Sequence, residues 1–298
     1  MSSSTLDASA AHEPLPAAPT KGYWHSVFGR LSRDPVALVA GLILLAILLV
    51  GLLAPWVAPV DPYATSMLSR LQPIGSPGFW LGSDELGRDV LSRLIYGARL
   101  SLLIGVMPVI NAFVIGSAIG IVAGFVGGRT NTLIMRVIDV FYAFPAVLLA
   151  IALAGALGAG LINSLFSLTV VFIPPIARVA ESVTTQVRNV DYIEAARASG
   201  ARSLTIIQRH VLGNVLGPIF VYATSLISVS MILASGLSFL GLGARPPMPE
   251  WGLMLNTMRD AIYVNPWVTV LPGAMIFTVS ICFNMLSDGL RTAMDVKL

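Results

Sequence analysis

Charged residues divide this chain into long, uninterrupted apolar intervals. The intervals lie between Asp34 and Asp61, Arg99 and Arg129, Asp139 and Arg178, Arg209 and Arg245, and Asp260 and Asp288. A helix needs about 20 apolar residues to cross a bilayer. Four intervals hold one such helix each. The third is long enough for two shorter ones, with Gly155, Gly158, Gly160 and Asn163 supplying the turn. The pattern predicts an all-α membrane protein with six transmembrane helices, at approximately 36–56, 100–125, 132–156, 161–180, 211–238 and 267–288.

Residues inside the spans add detail. Gly116, Gly120 and Gly124 recur every four residues and form a small-residue ladder on one helix face. Such a ladder lets another backbone approach closely, within the subunit or across a dimer seam. Pro145 interrupts the third span, and Pro174 and Pro175 interrupt the fourth. A proline in mid-span frees a carbonyl and permits a kink.

Composition agrees with the pattern. Hydrophobic residues make up 56% of the chain and charged residues 11%, and the mean hydropathy is +0.83. A soluble domain carries roughly a quarter charged residues, so much of this chain faces lipid. The net charge is +3 with no Lys/Arg run, which argues against nucleic acid as a partner. Cys282 is the only cysteine, which excludes an internal disulfide or a cysteine metal site. His12, His25 and His210 are too scattered in sequence for a histidine metal cluster, and no cofactor is expected.

Lys and Arg also set the orientation. Six spans place both termini on one side. That side receives Lys21, Arg30, Arg33, Arg129, Arg136, Arg178, Arg188, Arg197, Arg202, Arg209, Arg291 and Lys297, twelve of the 18 basic residues. Both termini are therefore expected in the cytoplasm. Residues 1–20 lack a basic segment followed by an apolar one, so a disordered cytoplasmic tail is expected rather than a signal peptide. Residues 21–33 mix aromatic and basic side chains, as suits an interfacial helix or a positive anchor. The chain then divides into 21–95, with the first span and an extracytoplasmic loop, and a five-helix core over 96–298.

No catalytic constellation stands out. A P-loop needs a lysine after its glycines to reach phosphate, and Lys21 and Lys297 lie outside any such context. An ATP-driven process would need its ATPase on another chain. Ion-coupled carriers bury ionisable groups in mid-span. Here Asp139 is explained by an i,i+3 pair with Arg136, and Asp288 with Arg291 closes the last span similarly.

One polar island lies between the fourth and fifth spans, Asp191-Tyr-Ile-Glu-Ala-Ala-Arg-Ala-Ser-Gly200. Asp191 is placed to cap a helix, with Glu194 reaching back, and Gly200 is placed to end it in the left-handed conformation. Two turns are unstable alone in water, so the helix needs a partner surface. Ala195, Ala196 and Ala198 keep its profile thin.

Glu194-Ala195-Ala196, then Gly200 and Val211-Leu212, resembles the EAA loop of ABC importer permeases, within a cytoplasmic loop expected at 189–210. Gly213 stands where that family usually has proline. Leu81–Ser101, Leu237–Gly252 and Asp288–Leu298 are similar to segments of the dipeptide/oligopeptide/nickel permeases, in the order of their C-type subunit. Departures are Asn131, Met248 and Val296, where Asp, Thr and Pro are common. The resemblance covers residues 25–298.

The resemblance implies a type I ABC importer permease fold in a bacterial cytoplasmic membrane. It implies a heterodimer with a homologous permease, two ABC ATPase domains and an extracytoplasmic solute-binding protein. Glu194, Ala195, Ala196, Arg197 and Gly200 become the ATPase-coupling residues. Short peptides are the first substrate class, ahead of nickel or other metal chelates and glutathione.

The outer segments have their own physical reading. Asp84, Glu85, Arg88 and Asp89 are expected to form a charge network. Glu250 and Trp251 follow a proline-stiffened loop, with Trp251 a candidate interfacial anchor. These residues either dock the binding protein or fold back as scaffold. Two other function classes fit a six-span chain. A secondary carrier transports without any ATPase, and a membrane scaffold recruits a partner through the island without flux.

Overall fold

The computed structural model describes residues 23–294; the tail expected to be disordered at 1–20, together with Lys21 and Lys297, lies outside them. The described residues are nearly all helical. The N-terminal part contains α1 (Tyr23–Leu31), α2 (Pro35–Leu52) and α3 (Ala54–Val57). Asp34 starts α2: its Oδ1 accepts from the amides of Val36 (2.9 Å) and Ala37 (3.2 Å), with Pro35 in the first turn. The first expected span is thus one helix plus a separate turn.

Helix α4 (Val90–Val126) begins ten residues before the expected second span, because Asp89 caps it. At about 1.5 Å per residue its 37 residues are far longer than a hydrocarbon core of about 30 Å. Arg99, which ended the apolar interval, donates from Nη2 to the Leu52 carbonyl at 2.6 Å and from Nε to that of Gly51. Those carbonyls are left over at the end of α2.

The third expected span, 132–156, is not one helix. It is α5 (Gly128–Tyr142) and α6 (Ala146–Leu157), bent by 86°. The break follows from Phe144-Pro145, since a residue before proline is pushed out of the helical region. Pro174 and Pro175, by contrast, do not interrupt α7 (Leu161–Arg188). Among the described residues, five helices are long and apolar enough to cross a membrane, or six if the bent pair counts as one span.

The polar island is α8 (Asp191–Ala198), followed by α9 (Ser203–Ile206), a π-helical stretch Ile207–Val211 and α10 (Leu212–Phe239). Gly213 lies inside the continuous helix; the irregularity falls just before it, in the π stretch. Helices α11 (Trp251–Thr257) and α12 (Pro266–Met294) complete the described fold.

The glycine ladder packs within the subunit. Helix α4 runs parallel to α7, with Gly116 against Ile173 and Ile176, Gly120 against Ala177 and Ala180, and Gly124 against Glu181 and Thr184. A second core joins α2, α4, α11 and α12 through Leu44, Leu94, Trp251, Met254 and Val279. The helix ends gather at two levels. At one, Arg188 donates to the Gly124 carbonyl (3.2 Å) beside α8. At the other, Gly160 donates to Leu242 (3.1 Å) and Asn265 to Gln72 (3.2 Å), among the long loops.

Candidate functional site

Helix α8 is anchored in the core by Ile193. Ile193 is fully buried, in the core that also contains Phe125, Ile206, Val211 and Val215. Its burial fixes which face of α8 turns outward: Asp191, Glu194, Ala195 and Ala198, spaced i, i+3, i+4, i+7, are all exposed. Ala196 is half-buried against the core.

The expected capping box does not form. Val190 is the N-cap, extended at φ −87°, and no side chain caps the helix. The chain leaves α7 and turns within two residues, which puts Asp191 and Glu194 inside the first turn, where they favour the helix dipole. Gly200 does end the helix as expected, at φ +79°. Its amide donates to Arg197 (2.9 Å) and that of Ala201 to Ala196 (3.1 Å), the paired bonds of a Schellman ending.

Among the described residues, no ion pair joins Glu194 to Arg197. The Arg197 guanidinium lies over the Phe125 ring of α4, 5.1 Å from its centre. Asn214 of α10 donates to the Tyr192 hydroxyl (3.0 Å). The small helix is therefore attached to α4 and α10 as well as to α7.

At the opposite level the outer residues come together, but not as a surface. Asp84 accepts from the amides of Leu86 and Arg88 (2.9 Å each) and from Arg88 Nε (2.6 Å). Arg93 Nε lies 3.4 Å from the same carboxylate. Asp89 stays out of this network and caps α4 through the amide and hydroxyl of Ser92 (2.7 Å each). Glu250 caps α11, accepting from Gly252 (2.9 Å), Leu253 (2.8 Å) and the Ser101 hydroxyl (3.2 Å). Trp251 Nε1 donates to the Leu94 carbonyl (3.0 Å), in a space that Gly97 leaves open.

Asp84, Arg88, Asp89, Glu250 and Trp251 are all buried, and only Glu85 keeps a quarter of its side chain exposed. In this conformation the five are held as scaffold. Of the two readings of these residues, docking surface and folded-back scaffold, their burial favours scaffold: the loops satisfy the groups internally, because leaving them unpaired on burial is costly. Arg93, which the sequence reading passed over, ties the scaffold together by donating to Pro62 (3.1 Å) and Pro247 (3.3 Å).

Glu250 lies outside the membrane-spanning helices. Burial pushes its carboxyl above the ordinary carboxylate range, against the opposing pull of the Gly252 and Leu253 amides. A raised acid binds its proton more tightly in the fold. Its contribution is complete below the ordinary range and is lost as pH rises through the raised value. The protein in detergent is expected to melt at lower temperature as pH climbs through that window. Glu250→Gln is expected to flatten the dependence; an unchanged slope contradicts the assignment.

Comparison with known proteins places this geometry. Residues 116–298 match the family described as binding-protein-dependent transport system inner membrane component. Residues 22–73 match the N-terminal TM domain of oligopeptide transport permease C. The di/tripeptide transport system permease protein DppC of Pseudomonas aeruginosa is 42% identical over 286 residues, covering 94% of this chain and 93% of that one. The glutathione transport system permease protein GsiD of Pectobacterium atrosepticum is 40% identical over 275 residues, covering 92% and 91%. A solved structure of the MetNI methionine ABC transporter in an inward-facing conformation aligns with TM-score 0.55 at 19% identity. It covers 67% of this chain and 96% of that one, and shows the fold. The chain belongs to the inner-membrane components of binding-protein-dependent transport systems, the multi-pass permease subunits of ABC importers, whose ATPase is a separate subunit.

Proposed function

We propose that this permease imports di- and oligopeptides and receives the work of ATP hydrolysis through α8. The observation that carries the substrate class is the 42% identity, over nearly the whole of both chains, to a di/tripeptide permease. Glutathione, itself a short peptide, belongs to the same chemical class, and a relative named for it is 40% identical. In this reading the chain forms half of the pathway beside a homologous permease. Two ATPase domains sit under the α8 level, and a solute-binding protein docks over the loops that Arg93 holds.

ATP binding would close the ATPases, and the exposed face of α8 would carry that motion into α4, α7 and α10. The physical support is the set of attachments at Ile193, Arg197 and Tyr192. Both termini then lie in the cytoplasm, in keeping with the cluster of arginines at the α8 level. Uptake of a labelled dipeptide by vesicles holding the complete transporter tests the reading. ATP-dependent accumulation is expected; uptake of a nickel chelate and of no peptide refutes it.

A further inference from the structure

One cavity lies apart from α8 and from the outer loops. Its volume is about 540 Å³, within the range of about 300–1,000 Å³ usual for small-molecule sites. Three helices wall it. Val179 comes from α7, Val221, Tyr222 and Ser225 from α10, and Asp288 and Arg291 from α12.

The sequence pattern pairs Asp288 with Arg291, one turn apart on α12. The pair does not form: among the described residues neither side chain makes an ion pair or a hydrogen bond. Asp288 takes part only through its main-chain carbonyl, which accepts from the Thr292 hydroxyl (3.0 Å). The Tyr222 hydroxyl likewise has no partner among the described residues; its main-chain carbonyl accepts from the Ser225 hydroxyl (2.7 Å). Charged groups on α7 are instead tied to protein, Arg178 to Asp139, Glu181 to Asn131 and Thr185, and Arg188 to the Gly124 carbonyl. A carboxylate, a guanidinium and a phenol therefore open on one cavity with their bonding capacity unused. Val179 and Val221 supply an apolar wall beside them.

We propose that this cavity binds a small zwitterion, of the size of an amino acid or a short peptide. Arg291 takes the carboxylate, which a guanidinium holds through two parallel bonds. Asp288 takes the ammonium, and the Tyr222 hydroxyl donates to a remaining oxygen. Positions three apart on a helix are neighbours, so the two charges of the ligand are a few bonds apart. That a peptide is the member of this class rests on the transport reading above; the need for both charges rests on the cavity alone. A solute with blocked ends displaces water from both ions and returns a charge to neither, so it is disfavoured.

The test uses the assembled transporter carrying Cys282→Ala and Ser225→Cys, which places one thiol on the cavity wall. A small water-soluble methanethiosulfonate is expected to label it. Alanyl-alanine is expected to slow the labelling, and N-acetyl-alanyl-alanine amide is not. Equal protection by both peptides, protection by neither, or a thiol that does not react at all overturns the proposal. Asp288→Asn and Arg291→Gln, each added to the same background, are expected to raise the protecting concentration of alanyl-alanine about tenfold or more. Protection at the original concentration in both variants places the ligand elsewhere and overturns the site. If a variant fails to assemble, the comparison of the two peptides on the unaltered charges decides. Protection of the thiol in a transporter that takes up no peptide sinks the transport reading and leaves the site standing. Peptide uptake with no protection does the reverse.

Discussion

Gly120→Val is expected to lower the yield of folded protein and its melting temperature sharply. A Cβ at Gly120 would strike the Ala177 carbonyl and come within 2.6 Å of the Ala180 methyl and 2.8 Å of the Glu181 amide. Two of these are backbone atoms inside α7, and none is the end of a flexible side chain, so nothing can swing away. The two helices must part. Because they run parallel along the whole ladder, parting them also opens the contacts at Gly116 and Gly124. Overpacking a well-packed core costs about 1–3 kcal/mol. Here a rigid backbone meets the added atoms, so the upper end or beyond applies, against a total stability of roughly 5–15 kcal/mol. Gly155→Ala is the control, since a Cβ there meets nothing within 4 Å. Recovery of monodisperse protein and its melting temperature in detergent measure the effect. Wild-type values for Gly120→Val would show that the α4–α7 seam does not hold the bundle.

Gly200→Pro is expected to abolish transport with the bundle still folded. Gly200 sits at φ +79°, and proline is locked near −65°. The substitution also deletes the amide that donates to Arg197. The Schellman ending then cannot form, and α8, eight residues long, loses the constraint that orders its last turn. Gly200→Ala keeps the donor and pays only for the left-handed conformation, about 1–2 kcal/mol. A graded result is therefore expected: coupled uptake lost in Gly200→Pro and reduced in Gly200→Ala, with similar melting temperatures because the position is exposed at the edge of the fold. Normal uptake by Gly200→Pro would mean that the geometry of α8 is irrelevant to coupling.

Much of this architecture is legible in the residues. Charge-free intervals locate the crossing helices, because no bilayer-spanning helix tolerates many charges. The four-residue glycine spacing marks a close contact, though not which helix it meets. Gly200 announces the end of α8 because only a left-handed residue fits there.

What was missed is long-range. Asp139 finds Arg178, 39 positions away, and local spacing offered only Arg136. Arg93 and Arg99 interrupt the apolar pattern, yet both lie within α4, because carbonyls from distant loops and from α2 satisfy them. Glu250 and Trp251 fit either a docking surface or a folded-back scaffold in sequence, and they are buried because Gly97 and Ser101 of α4 receive them. Pro145 stands at a helix break and Pro174-Pro175 lie within a continuous α7, a difference that proline content alone does not predict. Helix α8 starts one residue earlier than the capping pattern predicts, with Val190 as its N-cap and Ile193 buried.

Helix α8 is the proposed place where the ATPase delivers its motion. Ala195 lies in the middle of the exposed face and carries only a methyl group. Ala195→Cys in a Cys282→Ala background places one thiol there, and Trp80→Cys places one among the opposite loops. A short thiol-reactive cross-linker applied to the assembled transporter is expected to join Ala195→Cys to the ATPase and to leave Trp80→Cys unjoined to it. Cross-linking to the ATPase from Trp80→Cys and not from Ala195→Cys would contradict the account.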